Sequence, residues 1–218
     1  MVQRLQGFCS EDLGAFYLDI LKDRLYTSPA RSTARRSAQT ALWHVTHSLV
    51  RLMAPILSFT AEELWGLFSA HPDDSVFFQT YHSLPEVADG EALLAKWARL
   101  RELRAPARKQ IEELRVAGKV GSSLQAEVDF LASGADYDVL ASLGDELKYV
   151  MLTSAARTVR SSEAPDGVRS SEATTTVKPS EHTKCERCWH YRADVNAEGL
   201  CGRCVVNLGS EGERRTHA

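Results

Sequence analysis

Three features of the sequence predict a mainly α-helical fold with a small α/β unit and a cysteine knuckle at its end. Apolar residues recur at helical spacing from about residue 8 to 118. After Gly121-Ser122-Ser123 the pattern switches to strand-like alternation, and two C-x2-C pairs follow near the C-terminus. The 218 residues, 44% hydrophobic and 25% charged, suit one or two modest domains and exclude a disordered acidic chain. The most apolar stretch, Leu49 to Phe59, contains Arg51 and Pro55 and is far shorter than the ~20 residues a membrane span needs. No basic segment leads into an apolar run at the start, so no secretory signal is expected.

The first helix is built on Phe8, Leu13, Phe16/Tyr17, Ile20/Leu21 and Leu25, with Cys9 on its apolar face as a buried small hydrophobe. Ser28-Pro29 breaks it. A second helix is expected from about Pro29, with Ser28 as N-cap and the proline in the first helical position. Its stripe is Ala34, Ala38, Ala41/Leu42, Val45, Leu49 and Leu52/Met53; Arg31, Arg35 and Arg36 lie near its start. Pro55 ends it, because a proline removes a helical hydrogen bond. Thr60-Ala61-Glu62-Glu63 reads as a capping box opening a short helix through Leu64, Trp65 and Phe68, closed by His71-Pro72-Asp73-Asp74. A last helix runs from about Asp89 to Ala117, kinked at Pro106 and stopped by Gly118.

Beyond it, Leu124 to Leu131 alternates as a strand, with Leu124, Ala126, Val128 and Phe130 on one face. Asp136 to Gly144 suits a short helix and Tyr149 to Leu152 a second strand. Residues rich in Ser, Thr and Glu then read as a linker, in which Val159-Arg160-Ser161-Ser162-Glu163-Ala164 recurs as Val168-Arg169-Ser170-Ser171-Glu172-Ala173. The expected layout is a helical bundle over 1–118, an α/β unit over 119–157, a linker over 158–181, a cysteine unit over 182–210 and a tail over 211–218.

Net charge is −3, which at first argues against a nucleic-acid partner, but the charge is segregated. Residues 1–55 carry +3, 56–95 carry −7 and 96–130 carry +3. Basic helices beside an acidic one can present a phosphate-binding face, and a solvated surface fits the same counts.

The clearest chemistry lies in Cys185, Cys188, Cys201 and Cys204. Each C-x2-C pair aims two sulfurs at one point, and four thiolates complete a tetrahedral shell at ~2.3 Å around zinc. Without a secretory signal or a βαβ context, disulfides and thioredoxin-like redox chemistry are disfavoured. Four protein ligands leave no open position, so one structural Zn2+ is expected; His190 has no place in the shell. Arg187 lies between the first pair, Arg203 between the second, and Trp189-His190-Tyr191 follows the first. An Arg and an exposed aromatic on a rigid knuckle suit unpaired bases, while Trp189 as a cover for the metal fits the composition equally.

Several segments together resemble a known family. Phe16-Tyr17-Leu18-Asp19-Ile20, Lys22-Asp23-Arg24-Leu25-Tyr26 and Met53-Ala54-Pro55-Ile56-Leu57-Ser58-Phe59-Thr60-Ala61-Glu62-Glu63-Leu64-Trp65 are similar to the anticodon-binding domain of bacterial isoleucyl-tRNA synthetases, class I. Val120-Gly121-Ser122-Ser123-Leu124-Gln125-Ala126 resembles the junction after it, and Lys184-Cys185-Glu186-Arg187-Cys188-Trp189-His190-Tyr191 with Leu200-Cys201-Gly202-Arg203-Cys204-Val205 the C-terminal zinc domain. The resemblance covers nearly the whole chain in order. It implies a bundle gripping the anticodon stem, with Arg31, Arg35 and Arg36 as candidate RNA contacts, and a zinc unit reaching the anticodon loop through Arg187, Trp189 and Arg203. The Pro106 kink and the duplicated segment depart from the family pattern.

Neither H-I-G-H nor K-M-S-K-S, the signatures with which class I synthetases use ATP, occurs, and no Gly-rich phosphate loop does either. The chain is therefore expected to be the cytoplasmic, non-catalytic tRNA-recognition part of a synthetase, needing ATP only in the parent enzyme and exposing apolar helix surface near its start. Its expected partners are the tRNA for isoleucine and the missing catalytic part, with no membrane and no DNA. The alternatives are a free-standing tRNA-binding module and a zinc-finger DNA-binding protein. Formamidopyrimidine-type DNA glycosylases carry a similar finger, but they use an N-terminal proline where Val2 stands here.

Overall fold

The computed structural model describes residues 2–71, 73–163, 173–209 and 212–217. The chain divides into two compact units, one of residues 1–35 with 89–218 and the other of residues 36–88. No helix among the described residues is long and apolar enough to cross a membrane.

The first unit begins with one continuous helical run. α1 (Val2–Gly7) passes into wide π-helical turns over Phe8–Leu18 and then into α2 (Asp19–Thr27). Gly14 sits in the widened stretch, where a β-carbon would lie 2.9 Å from the Cys9 carbonyl oxygen. Cys9 itself is half-buried rather than buried. Ser28 is extended and closes α2, with its N–H donating to Arg24 O. The expectation that Ser28 caps the next helix is thus corrected: α3 (Thr33–Met53) starts one turn later, and Ser32 Oγ accepts from Arg35 N at 3.3 Å. Pro29 spans the turn between the two helices, its carbonyl accepting from Ser32 N.

The second unit contains most of α3 and α4 (Ser58–Gly66). Its core is Val50, Ala54, Ala61, Trp65 and Val76. The expected capping box is absent. The helix starts at Ser58, which places Thr60 inside the first turn, so its side chain is past the capping position. Glu62 instead accepts from Val76 N at 2.9 Å and Ser75 Oγ at 3.0 Å, and Trp65 Nε1 donates to Asp74 Oδ2 at 3.0 Å. Those bonds pin the loop after α4 to the helix.

Back in the first unit, α5 (Gly90–Val116) contains Pro106 within one unbroken helix. It ends as the glycine predicts. Gly118 takes φ +68°, with Lys119 N bonded to Leu114 O and Gly118 N to Arg115 O. The α/β portion is a three-stranded sheet in the order β2-β1-β3, with β1 (Ala126–Ala132) central. β2 (Ala155–Arg160) runs parallel to it, with Glu127 opposite Ala155. β3 (Thr174–Pro179) runs antiparallel, with Val128 opposite Val177. α6 (Gly134–Ala141) and α7 (Leu147–Met151) provide the crossover. Ala126, Val128 and Phe130 lie on one buried face of β1, as the alternation predicts, and Ala132 extends it; Leu124, expected on the same face, lies before the strand and is half-buried. Val128, Phe130 and Ala132 share one core with Leu100, Leu103, Leu140 and Met151.

Two expectations are overturned. Tyr149 to Leu152 lies in and just after α7, not in a strand; Leu147, Tyr149, Val150 and Met151 are all buried, so a short apolar run carried no periodicity to choose by. The stretch read as linker contributes two strands. β3 is held by β1 on one side and by the Gln110 amide of α5 on the other, through Gln110 Nε2 to Thr175 O (2.8 Å) and Val177 N to Gln110 Oε1 (3.0 Å). Its Thr and Val residues favour that pleated setting. The second copy of the duplicated segment, apart from Ala173, lies outside the described residues.

Candidate metal centre

The cysteine unit is two knuckles joined by one backbone bond. β4 (Thr183–Lys184) and β5 (Tyr191–Arg192) pair around the first knuckle, where Cys185 N donates to His190 O at 2.8 Å and Trp189 N to Cys185 O at 2.9 Å. The turn puts Trp189 at φ +65°. The second knuckle is entered through an Asn196 turn, whose Oδ1 accepts from Glu198 N and Leu200 N. It closes on α8 (Gly202–Leu208), with Cys201 in the N-cap position and Cys204 in the first turn. Glu186 N donates to Gly199 O at 2.9 Å and links the two.

This framework buries Cys185, Cys188, Cys201 and Cys204 and sets their sulfurs within 4.8 Å of one another, a group able to hold a metal ion. Cys188 Sγ and Cys201 Sγ are 3.7 Å apart. A tetrahedral shell of radius ~2.3 Å sets its sulfurs about 3.8 Å apart, so the donor set fits zinc. Cys201 N also donates to Cys185 Sγ at 3.3 Å. Burial pushes the Cys188 thiol up to about 11 and raises that of Cys204. At Cys185 burial is outweighed by backbone N–H groups of Cys188, Cys201 and Arg187, which hold it down to about 6. Four sulfurs so close repel one another as thiolates, and a divalent cation removes that repulsion.

The knuckle is clamped to α2. Arg203 places both terminal nitrogens 2.7 Å from the two oxygens of Asp23, and Arg215 Nη1 lies 2.6 Å from Asp23 Oδ1. His190 Nε2 stands 3.7 Å from Asp23 Oδ2. Burial would raise the Asp23 pKa, but His190, Arg203 and Arg215 hold it far below the usual carboxylate range. Arg203 and Arg215 also lie over the Tyr149 ring, the latter at 3.6 Å.

The candidate contact residues separate into different surroundings. Trp189 is 60% exposed, whereas the four cysteines are buried. Arg187 is half-buried, with Nη2 donating to Thr27 O at 3.0 Å and Nη1 buried without a partner. The Arg203 side chain is only 7% exposed and is committed to Asp23 and Glu213, so it faces the fold. Arg31 and Arg36 are exposed; Arg35 is half-buried and donates to Ser28 O.

A cavity of about 530 Å³ adjoins the knuckle, lined by Trp189, Arg187, His190 and the α2 residues Lys22, Asp23 and Tyr26. Sequence reasoning missed Tyr26, which is 76% exposed, and Asp23. An aromatic one turn beyond Lys22, on a helix that also carries Asp19, Asp23 and Arg24, was the available signal for Tyr26. Nothing local marked Asp23, because its partners lie at the far end of the chain.

The sequence pattern described as the anticodon-binding domain of tRNA ligase matches residues 1–130. The chain is 58% identical over 225 residues to the isoleucine–tRNA ligase of Janthinobacterium sp. (strain Marseille). It is 54% identical over 229 residues to that of Bordetella pertussis and 55% over 222 to isoleucine–tRNA ligase 1 of Burkholderia mallei. Each alignment covers the whole chain, which spans 23% of the relative's length.

Proposed function

Since the chain belongs to the family of anticodon-binding domains of tRNA ligases, we propose that it is the tRNA-recognition part of an isoleucine–tRNA ligase acting in the cytoplasm. In this reading residues 1–118 hold the anticodon stem, 119–157 form a junction and 182–210 form a zinc unit directed at the anticodon loop. The observation that carries it is the similarity of the whole chain, cysteine unit included, to part of isoleucine–tRNA ligases.

The chemistry supports the division of labour. Bound zinc would supply a rigid frame for both knuckles, held by Cys185, Cys188, Cys201 and Cys204. On that frame Trp189 offers a free ring face, with Lys184 Nζ 5.7 Å from its centre. An unpaired base stacks on such a face for about 1–3 kcal/mol, and the neighbouring cation adds to it. Arg187 is held at the guanidinium by Thr27 O and lines the same cavity as Trp189. Arg31, Arg35 and Arg36 suit backbone phosphates rather than bases. Arg203 acts in this reading as a positioning residue, fixing the knuckle to α2. Isoleucine activation with ATP belongs to the remainder of such a ligase.

The test is binding of the chain to isoleucine tRNA and to tRNAs with other anticodons, followed by fluorescence anisotropy. Preference for the isoleucine tRNA is expected, weakened about tenfold or more by Trp189→Ala. Equal binding to all tRNAs, or an unchanged Trp189→Ala variant, would remove anticodon reading from this knuckle.

A further inference from the structure

One cation in the first unit lacks an explanation in the fold. Arg104 lies on α5 and is 4% exposed. Its guanidinium stands 5.4 Å from the centre of the Phe16 ring, and its Nε is buried without a hydrogen-bond partner. No carboxylate among the described residues forms an ion pair with it. Asp19 is the acid that acts on it, and Asp19 Oδ1 is held by Lys22 at 2.6 Å. Arg101 and Arg108, one turn to either side on the same helix face, are also cations, and Lys109 lines the same cleft. Arg101 is paired with Asp12, but Arg108 and Lys109 are exposed and have no ion-pair partner among the described residues. Burial, with Arg108 next, lowers the Arg104 guanidinium to about 10, so it remains charged at neutral pH.

A buried, uncompensated charge is costly, and an anion arriving from outside would compensate it. Two clefts meet at this residue. One of about 650 Å³ is lined by Arg104, Arg108, Lys109 and Arg115 with Asp19 and Glu112, and one of about 260 Å³ by Arg101, Arg104, Arg108 and Phe16 with Glu11. Glu112 is occupied by Arg115.

We propose that the cleft at Arg104 is an anion site for a backbone phosphate of the bound RNA, with Arg104 at its floor and Arg108 and Lys109 at its rim. This rests on the tRNA-binding reading and adds a contact surface built on α5, separate from the cysteine knuckle. A row of cations along one helix suits the repeating charge of a nucleic-acid strand, and the planar guanidinium donates two parallel bonds to a phosphate. The contact carries no base information, so it serves every tRNA alike.

The test uses the full chain, with Arg104→Met and the surface double variant Arg108→Ala/Lys109→Ala, and measures tRNA affinity between about 50 and 200 mM salt. The double variant should bind about tenfold more weakly and lose roughly two units of salt slope, equally for tRNAs of different anticodon. Arg104→Met should lose affinity while its melting temperature stays level or rises, since a methionine removes the uncompensated charge. Millimolar inorganic phosphate should raise the melting temperature of the wild type and not of Arg104→Met. Wild-type binding with unchanged affinity and slope in both variants overturns the proposal. Loss of the phosphate effect without any change in RNA affinity also overturns it, by marking a free-anion site. A wild-type chain that binds no tRNA defeats the functional reading itself and takes this contact with it.

Discussion

Arg203, between the last two cysteines, and Asp23, on α2, form a doubly hydrogen-bonded ion pair with both contacts at 2.7 Å. Both side chains are largely buried. The pair joins the cysteine unit to the first helical run across most of the chain's length, and Tyr149 closes it from below. Removing Asp23 takes away the acid that Arg203 and Arg215 share and leaves the buried positive charge under-compensated, with Glu213 still beside both. Asp23→Ala should therefore lower the unfolding free energy by about 3–5 kcal/mol, measured by urea denaturation. The double change Asp23→Leu/Arg203→Met should recover part of that loss, and a loss below about 1 kcal/mol for the single change would show that the pair does not hold the knuckle.

Native mass spectrometry should find one zinc per chain, and none after Cys188→Ser. Chelation should unfold the segment around Cys185 to Cys204, which has a core made only of the four cysteines with Val195 and Leu200. The sheet core around Phe130 and Leu140 is separate from it and should survive. A knuckle that keeps its amide protection after chelation would count against metal-dependent folding.

Glu127 sits at the edge of the sheet core, bonded to Arg157 at 2.7 Å and Ser180 at 2.9 Å. Burial alone would raise its pKa, but those hydrogen bonds and the charges of Arg157 and Lys178 lower it. A carboxylate depressed in the folded state contributes stability that is fully present above its unfolded pKa of about 4.3 and is lost as pH falls through the lower folded value. Glu127→Gln should flatten that part of the acid limb in pH-dependent unfolding. An identical acid limb in the variant would show that the contribution comes from elsewhere.

The chain contains neither H-I-G-H nor K-M-S-K-S. It should not exchange pyrophosphate with ATP and isoleucine, and measurable exchange by the purified chain would sink the assignment of catalysis to the rest of a ligase.

Much of this was readable locally. The Gly118 stop, the buried face of β1 and the four-cysteine set each depend on residue type and spacing alone. A glycine accepts φ +68°, alternation separates two faces, and C-x2-C fixes a turn. The failures share a cause. Ser28 and Thr60 are good caps by residue type, but the neighbouring turns moved each helix start away from them. Thr174 to Pro179 looked like linker because its partners, β1 and Gln110, are distant in sequence.

The sequence by itself determined the helical bulk, the four-cysteine set and the family, because those rest on periodicity and on spacings within a few residues. Tertiary structure decided which arginines are free to meet a partner. Arg203 and Arg187 sit in equivalent places between cysteines, yet Asp23 takes up the first and Thr27 O holds only one nitrogen of the second. Arg104 reads as one more helix cation, and only its burial without a carboxylate marks it. The free energy of a charge depends on what surrounds it, and those surroundings are assembled from distant parts of the chain.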